Sequence, residues 1–408
     1  MFSRSAVTQS AIVLLLLFSP ALESGACAAE KVEDLSALLA SSIEKFKVPG
    51  MAAAVVEGGR VTAMGVAGIR CRGSAEKIAV DDLFHIGSDT KSMTATVAAM
   101  LVEEGKLQWS STPADILPKA GLTKIDPAWK RVTLEELLTH RAGVRANPDM
   151  FGLLLVRAFS ESPQKERHDV CQALLRKPPD KEPGKAFLYS NAGFIIAGTM
   201  EETVAGKPWE ELMQERLFRP LGMTSAGYGP PGLSTPQPAK KSDSKTTKPE
   251  GVRQPCGHES NGIPQPPSWA ADNPACFGPA GTVHVSLRDW AKYASLHLAG
   301  ERGELTMAST SPKPILSVES LRKLHTPFGD AIAPRGPRYA MGWGVIKDPK
   351  TGETHLQHFG SNGFWMAGIA LYPARNMAIL VATNQGGDRV QKACTELMRT
   401  LAQRKPQR

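Results

Sequence analysis

The chain has 408 residues, 42% of them hydrophobic, with 37 glycines, 31 prolines and a formal charge of +8. That supply of apolar residues can fill a large core, which excludes a disordered or fibrous protein, and the length suggests two structural units. The basic excess is diffuse, densest in KKSDSKTTK and free of aromatic interleaving. It argues against nucleic-acid binding and for solubility or attraction to anionic cell-surface material.

Residues 1–28 read as a secretory signal. MFSR carries one positive charge, AIVLLLLF is a short apolar run, and the small residues of ACAAE place a cut after Ala28. The run is too short to cross a bilayer comfortably, which leaves an N-terminal anchor as the alternative, and no later segment is apolar for long enough to span one. Export to the periplasm or the extracellular space is the expected localisation. Cys27 follows Ser-Gly-Ala, a weak resemblance to a lipid-attachment motif, so a tether is the alternative to release. Removing the signal takes away Arg4 and Glu23 together and leaves five of the six cysteines, an odd number that leaves one thiol without a partner in the chain. Cys256 and Cys276 lie close in a loop-like region and are the favoured pair. Cys71, Cys171 and Cys394 read as buried small hydrophobes.

Next in order, VEDLSALLASSIEKF spaces its apolar residues along one helical face, and MAAAVVEGGRVTAMGVAG gives two strands joined by a Gly-Gly turn. Beyond Lys91, Met93, Val97, Met100 and Leu101 mark a helix that stops near Gly105. VTLEELLTH is a short amphipathic segment in which Thr133 and Glu136 are spaced for a capping box. Residues 151–159, 165–176, 192–204 and 208–217 also suit helices. Residues 229–275 hold ten of the 31 prolines, so regular structure is not expected there and a surface excursion is. LRDWAKYASLHLA restores a helix. YAMGWGVI, HLQHF, FWMAGIALY and MAILVATN follow as strands, and residues 388–403 form a closing helix. Strands at both ends with helices between them predict an α/β fold, an antiparallel sheet flanked by helices with a mainly helical inserted domain. The boundaries run 29–87 for the first part of the α/β domain, 88–228 for the helical domain, 229–275 for the excursion and 276–408 for the second part.

Three stretches carry chemistry. In GSDTKSM, Ser88 and Lys91 are one helical turn apart, and a lysine held neutral by burial can take a serine proton. As local structure alone, Ser88 or Asp89 caps the helix and Lys91 is solvated. Tyr189-Ser190-Asn191 supplies a hydroxyl for proton relay and an amide that orients Lys91 or substrate. Its alternative is a packed tyrosine with Asn191 as an N-cap. In His358-Phe359-Gly360-Ser361, the histidine can donate to substrate or couple to Tyr189, Gly360 admits close backbone approach, and the Ser361 amide can serve as an oxyanion donor. Gly257-His258 and Trp269 are candidates for a substrate wall, whereas Arg141 reads as a structural or rim residue. The histidines show no H-E-x-x-H or compact ligand spacing, so no metal is expected, and a serine acyl-enzyme route requires no organic cofactor.

FHIGSDTKSMTATVAAMLVEEGKL, VTLEELLTHRAGV, Tyr189-Ser190-Asn191, GPAGTVHVSLRDWAKYA and HFGSNGF occur in an order that resembles the serine β-lactamase and penicillin-binding-protein superfamily. The class C β-lactamase-like branch, with its D-aminopeptidases, DD-peptidases and esterases, is the most similar, over roughly residues 34–400 apart from parts of the excursion. The resemblance implies a β-lactamase/transpeptidase-like fold, Ser88 as acyl-forming nucleophile, Lys91 as its proton acceptor, and Tyr189 as general base and leaving-group relay. It implies that Asn191 orients substrate and lysine, that His358 stands where true β-lactamases have the lysine of Lys-Thr-Gly, that Gly360 matches the glycine, and that the amides of Ser88 and Ser361 form the oxyanion hole. Neutral imidazole recognises a carboxylate weakly and Phe359 has no hydroxyl. The expected substrate is therefore a small ester or peptide-like amide. A cell-wall DD-peptidase or β-lactamase, with cell-wall association, is the alternative, and a catalytically weak binding or regulatory homologue is the other.

Overall fold

The computed structural model describes residues 32–404 apart from 150–151, 154–155, 158–159, 234–252, 331 and 333–335. The expected signal segment, the lysine-rich part of the excursion and much of the expected 151–159 helix lie outside the described residues. Residues 32–149 open with a helix, Ser36–Phe46, and the strands Gly50–Glu57 and Arg60–Gly68, joined at Gly58-Gly59 as expected from the Gly-Gly turn.

Those strands pair antiparallel, and Gly50–Glu57 also pairs with Met377–Thr383, so the two ends of the described chain build one sheet. The sheet has eight strands. Beyond Met377–Thr383 come Met366–Tyr372, Thr354–Ser361, Gly344–Lys347 and Arg338–Tyr339, all antiparallel, while Glu33–Asp34 adds a short parallel edge beside Arg60–Gly68. The strand expected at YAMGWGVI instead folds back on itself. Ala340 donates to the Trp343 carbonyl at 2.7 Å and Met341 to the Leu324 carbonyl at 3.2 Å, which makes a hairpin whose turn is drawn into the core.

Side chains alternate along a strand, so both faces of this sheet can be read from MAAAVV. Met51, Ala53 and Val55 pack with Leu39, Val390, Cys394 and Leu397 under the first and last helices, while Ala52, Ala54 and Val56 join the core shared with the helical layer. Both faces are covered, so no polar alternation is needed.

The helix Thr90–Glu103 runs through the middle of the helical layer, and its residues from Thr90 to Leu101 are buried. Its small and hydroxyl-bearing residues permit this. Thr94 donates to the Pro279 carbonyl at 2.8 Å and Thr96 to the Ser92 carbonyl at 2.9 Å, which satisfies polar groups that burial would otherwise penalise. Asn191–Ala205 packs beside it, Leu287–Glu301 reaches it through the Tyr293 hydroxyl, which donates to Ser92 Oγ at 3.0 Å, and the capped turn Leu134–Leu138 packs on Asn191–Ala205. The expected capping box is present: Thr133 Oγ1 accepts from the Glu136 amide at 3.2 Å, and Glu136 accepts from the Thr133 amide at 2.9 Å. The described residues form one compact unit. Among the described residues no helix is long and apolar enough to cross a membrane.

The disulfide joins Cys71 to Cys256, not Cys256 to Cys276. The Cys256 amide donates to the Arg70 carbonyl at 3.0 Å, which ties this segment to the end of a sheet strand. Cys276 is buried in a turn where its amide donates to Glu166 at 3.0 Å. Cys171, Cys276 and Cys394 are free and buried.

Candidate active site

Ser88 lies in the 3₁₀ turn Gly87–Asp89, between the strand Leu83–His85 and the helix that starts at Thr90. The strand Leu83–His85 pairs with Val283–Ser286, and the Ile86 amide donates to the Val283 carbonyl at 2.9 Å, which anchors the entry to this turn. Neither Ser88 nor Asp89 caps the helix with its side chain. Lys91 is fully buried where the local alternative required a solvated side chain.

Hydrogen-bond accounting at Lys91 is specific. Its Nζ lies 2.7 Å from Asn191 Oδ1, 2.7 Å from the Ala280 carbonyl and 3.0 Å from Ser88 Oγ. The first two partners accept, so they take both N–H groups of a neutral amine, leaving its lone pair for the Ser88 hydroxyl. Loss of solvent pushes the Lys91 pKa well below its ordinary value, with the Asp89 charge opposing that shift. The Nζ also sits 4.9 Å from the centre of the Tyr189 ring and 5.5 Å from that of Phe194.

Tyr189 and Asn191 reach this point because Ser190, not Asn191, caps the helix Asn191–Ala205. Ser190 Oγ accepts from the Gly193 amide at 2.8 Å. That leaves the Asn191 amide group free to accept from Lys91 and to donate to Asn147 Oδ1 at 2.8 Å. Burial raises the Tyr189 pKa, against a smaller opposite effect of its hydrogen bond with Ser88, so the phenol stays protonated at neutral pH. His140 holds the tyrosine loop: its Nδ1 accepts from the Ser190 amide at 3.1 Å, and its ring centre lies 4.3 Å from that of Tyr189. Burial, helped by Lys91 and His358, pushes the His140 pKa well below its ordinary value.

The end of the strand Thr354–Ser361 packs directly on the turn that carries Ser88. A Cβ on Gly360 would stand 1.8 Å from the Ile86 carbonyl and 2.6 Å from the Ser88 nitrogen, and one on Gly87, whose φ is +50°, would stand 2.3 Å from the Ser361 nitrogen. Only glycine fits either place, and that contact brings the Ser88 and Ser361 amides side by side. The Ser361 hydroxyl is turned away, donating to the Trp365 carbonyl at 2.6 Å.

His358 is buried, with Nδ1 3.2 Å from Asp89 Oδ1 and Nε2 3.0 Å from the Tyr339 hydroxyl. Both ring nitrogens are engaged within the protein, so the donation to substrate expected from sequence would require one of these contacts to break. Phe359 alternates to the other face of the sheet, against Gly368 and under the closing helix, so its side chain is directed away from Ser88.

His258 is not a wall of this site. Its Nδ1 donates to the Asn384 carbonyl at 2.6 Å, its Nε2 accepts from the Arg72 amide at 3.0 Å, and the ring is buried. With Cys71 and Cys256 it makes a cluster of metal-ligating types, but the sulfurs are bonded to each other and the ring nitrogens are taken. Trp269 is exposed, with the Arg157 guanidinium 4.8 Å from its ring centre, and the residues after it reach the site: Ala271 O and Asp272 Oδ1 accept from Asn362 Nδ2 at 3.1 and 3.2 Å. Arg141 is buried and donates to the Asp330 carbonyl, a structural link. The sequence assigns no chemistry to Asp89, considered only as a helix cap, nor to His140, Tyr339 or the Ala280 carbonyl. The only local hints were a buried-helix context for Asp89 and the capping box that sets His140 at its exit.

The sequence pattern of the family described as Beta-lactamase matches residues 35–403. A relative described as an Unguisins hydrolase, from Aspergillus campestris, is 25% identical over 356 residues, 86% of this chain and 61% of its own length. Penicillin-binding protein 4 of Amycolatopsis lactamdurans is 27% identical over 254 residues, 62% of this chain and 60% of its own length. The matches thus span about three fifths of these two relatives. Among solved structures, the octameric penicillin-binding protein homologue from Pyrococcus abyssi superposes with a TM-score of 0.68 at 23% identity, covering 90% of this chain and 76% of that one. A class C beta lactamase from Rhodobacter sphaeroides superposes with 0.67 at 21% identity, covering 90% and 98%. At these identities the structural likeness establishes the fold.

Proposed function

The chain belongs to the beta-lactamase family, and we propose that it is a serine acyl hydrolase that cleaves a small ester or peptide-like amide through an acyl-enzyme on Ser88. The observation that carries this reading is the Lys91 amine, buried, depressed in pKa and 3.0 Å from Ser88 Oγ with its two N–H groups already committed.

The steps follow from those positions. Lys91 takes the Ser88 proton as Oγ attacks the carbonyl carbon, and the charge that develops on the carbonyl oxygen is met by the Ser88 and Ser361 amides. Tyr189 gives its phenol proton to the leaving oxygen or nitrogen and is reprotonated at the expense of Lys91, and the C–O or C–N bond breaks. Water then attacks the acyl-enzyme, losing its proton into the same pair, and Ser88 leaves with a proton restored. Tyr189 is already protonated at neutral pH, so the acid limb of the rate profile belongs to Lys91.

An exported location is part of the proposal. The sequence of residues 1–28 and the Cys71–Cys256 disulfide support it, since disulfides persist in oxidising compartments. A panel of p-nitrophenyl esters, D-Ala-D-Ala peptides and nitrocefin, run with Ser88→Ala as control, tests the function. Ester turnover lost in Ser88→Ala is the expected result. Preferred cleavage of D-Ala-D-Ala peptides or nitrocefin would replace it with cell-wall peptidase or β-lactamase chemistry, and ester turnover unchanged in Ser88→Ala would end the serine assignment.

A further inference from the structure

The residue next to the nucleophile has no part in the steps above, yet it is among the most completely buried charges in the chain. Asp89 is 0% exposed, and one of its oxygens, Oδ2, has no hydrogen-bond partner among the described residues. A buried carboxylate that is only half satisfied is costly, and an apolar residue would pack there with less penalty. Its other oxygen faces His358 Nδ1 at 3.2 Å, across a chain separation of 269 residues. His358 Nε2 in turn meets the Tyr339 hydroxyl at 3.0 Å.

We propose that Asp89 determines specificity: its carboxylate occupies the imidazole of His358 and cancels positive charge there, so the site accepts substrates with an uncharged leaving group and disfavours those bearing a carboxylate. This rests on the acyl-hydrolase reading and names its substrate class. An Asp89 carboxylate beside an uncharged imidazole gives the pair one negative charge. With one proton more, on either partner, it carries none. Only double protonation makes it positive. In each of the first two states both imidazole nitrogens are engaged, Nδ1 with Asp89 and Nε2 with Tyr339, so none is left to donate to a substrate. The other titratable groups around the pair do not restore a recognition cation. Lys91 is committed to Ser88, Asn191 and Ala280, His140 is held by the Ser190 amide, and Tyr189 and Tyr339 are phenols.

The test compares two esters that share an acyl group, one with a 3-carboxyphenyl leaving group and the other with the methyl ester of that leaving group, near neutral pH. For the wild-type protein, kcat/KM for the uncharged ester is expected to exceed that for the carboxylate by about tenfold or more, the ratio that one unfavourable charge contact of ordinary size produces. His358→Lys alone should keep that preference, because Asp89 pairs with the new ammonium. His358→Lys combined with Asp89→Asn should abolish or reverse it. Equal or faster wild-type turnover of the carboxylate ester, or a gain in His358→Lys as large as in the double variant, would overturn the proposal. The wild-type comparison needs no variant to fold. Dissociation constants of the two esters for Ser88→Ala, measured by calorimetry, read the same discrimination without turnover. If neither ester is hydrolysed, the acyl-hydrolase reading fails, and the calorimetric ratio still decides the role of Asp89: tenfold weaker carboxylate binding upholds it, and an equal or inverted ratio rejects it.

Discussion

At the scale of single residues, the assignment turns on the charge state of Lys91. Burial depresses its pKa well below the ordinary value, so the amine is the form able to accept a proton, and activity is expected to fall as pH drops through that depressed pKa. Lys91→Arg keeps the hydrogen-bonding reach but supplies a guanidinium that stays charged. It is expected to lower kcat for an ester by roughly 10²- to 10⁴-fold, the range for losing general base catalysis. Steady-state kinetics on the purified variant checks this, and a variant within a few-fold of wild type would remove Lys91 from the chemistry. Ser88 and Lys91 were legible in the sequence because their relation is local, three residues on one helical turn. Tyr189 and Asn191 were legible as residue types, but the choice between Ser190 and Asn191 as helix cap needed coordinates, and that choice frees the Asn191 side chain. The engagement of His358 was not legible, since nothing local reports a partner 269 positions away.

At the scale of elements, the strands could be read from β-branched and small apolar runs, and the sheet has the antiparallel body expected of them, with one short parallel edge added. Where the reading failed, tertiary packing decided. YAMGWGVI has strand composition, but Trp343 is wholly buried and the preceding turn is pulled inward, so one expected strand became a hairpin. The helix Asn191–Ala205 shows what such packing costs. Glu201 is fully buried, and neither of its oxygens has a hydrogen-bond partner among the described residues, whereas its neighbour Glu202 pairs with Arg167 at 2.6 Å. Burial raises the Glu201 pKa well above its ordinary value of 4.5. The sign follows from linkage: between 4.5 and the raised value the folded state holds a proton that the unfolded state has released, so stability is lost as pH rises through that window. Glu201→Gln removes this titration. In denaturant unfolding it should be more stable than wild type by a margin that grows about 1.4 kcal/mol per pH unit above the ordinary carboxylate range. A margin independent of pH would show that Glu201 does not carry the proton.

At the scale of the whole molecule, the two ends of the described chain meet in one sheet, the helical layer lies on one face, and the candidate nucleophile stands where the layer meets the sheet at Gly87 and Gly360. The cysteine that clips the proline-rich region to this body was assigned to the wrong partner from sequence, because nearness along the chain favoured Cys276 while the fold brings Cys71 to Cys256 across 185 residues. The bridged segment packs on the turn after Ser361, with the His258 amide donating to the Phe364 carbonyl at 3.0 Å. Replacing both cysteines by serine is expected to cost about 2–5 kcal/mol in unfolding free energy, as for native disulfides closing long loops. Equilibrium unfolding under non-reducing conditions measures it, and an unchanged stability would mean the clip adds nothing to the fold. The central claim is more directly exposed by covalent chemistry. Treating the purified protein with a fluorophosphonate probe and mapping the adduct by peptide mass spectrometry should place one modification on Ser88, absent in Ser88→Ala. An adduct on another residue, with Ser88 unmodified in a preparation that hydrolyses esters, would contradict it.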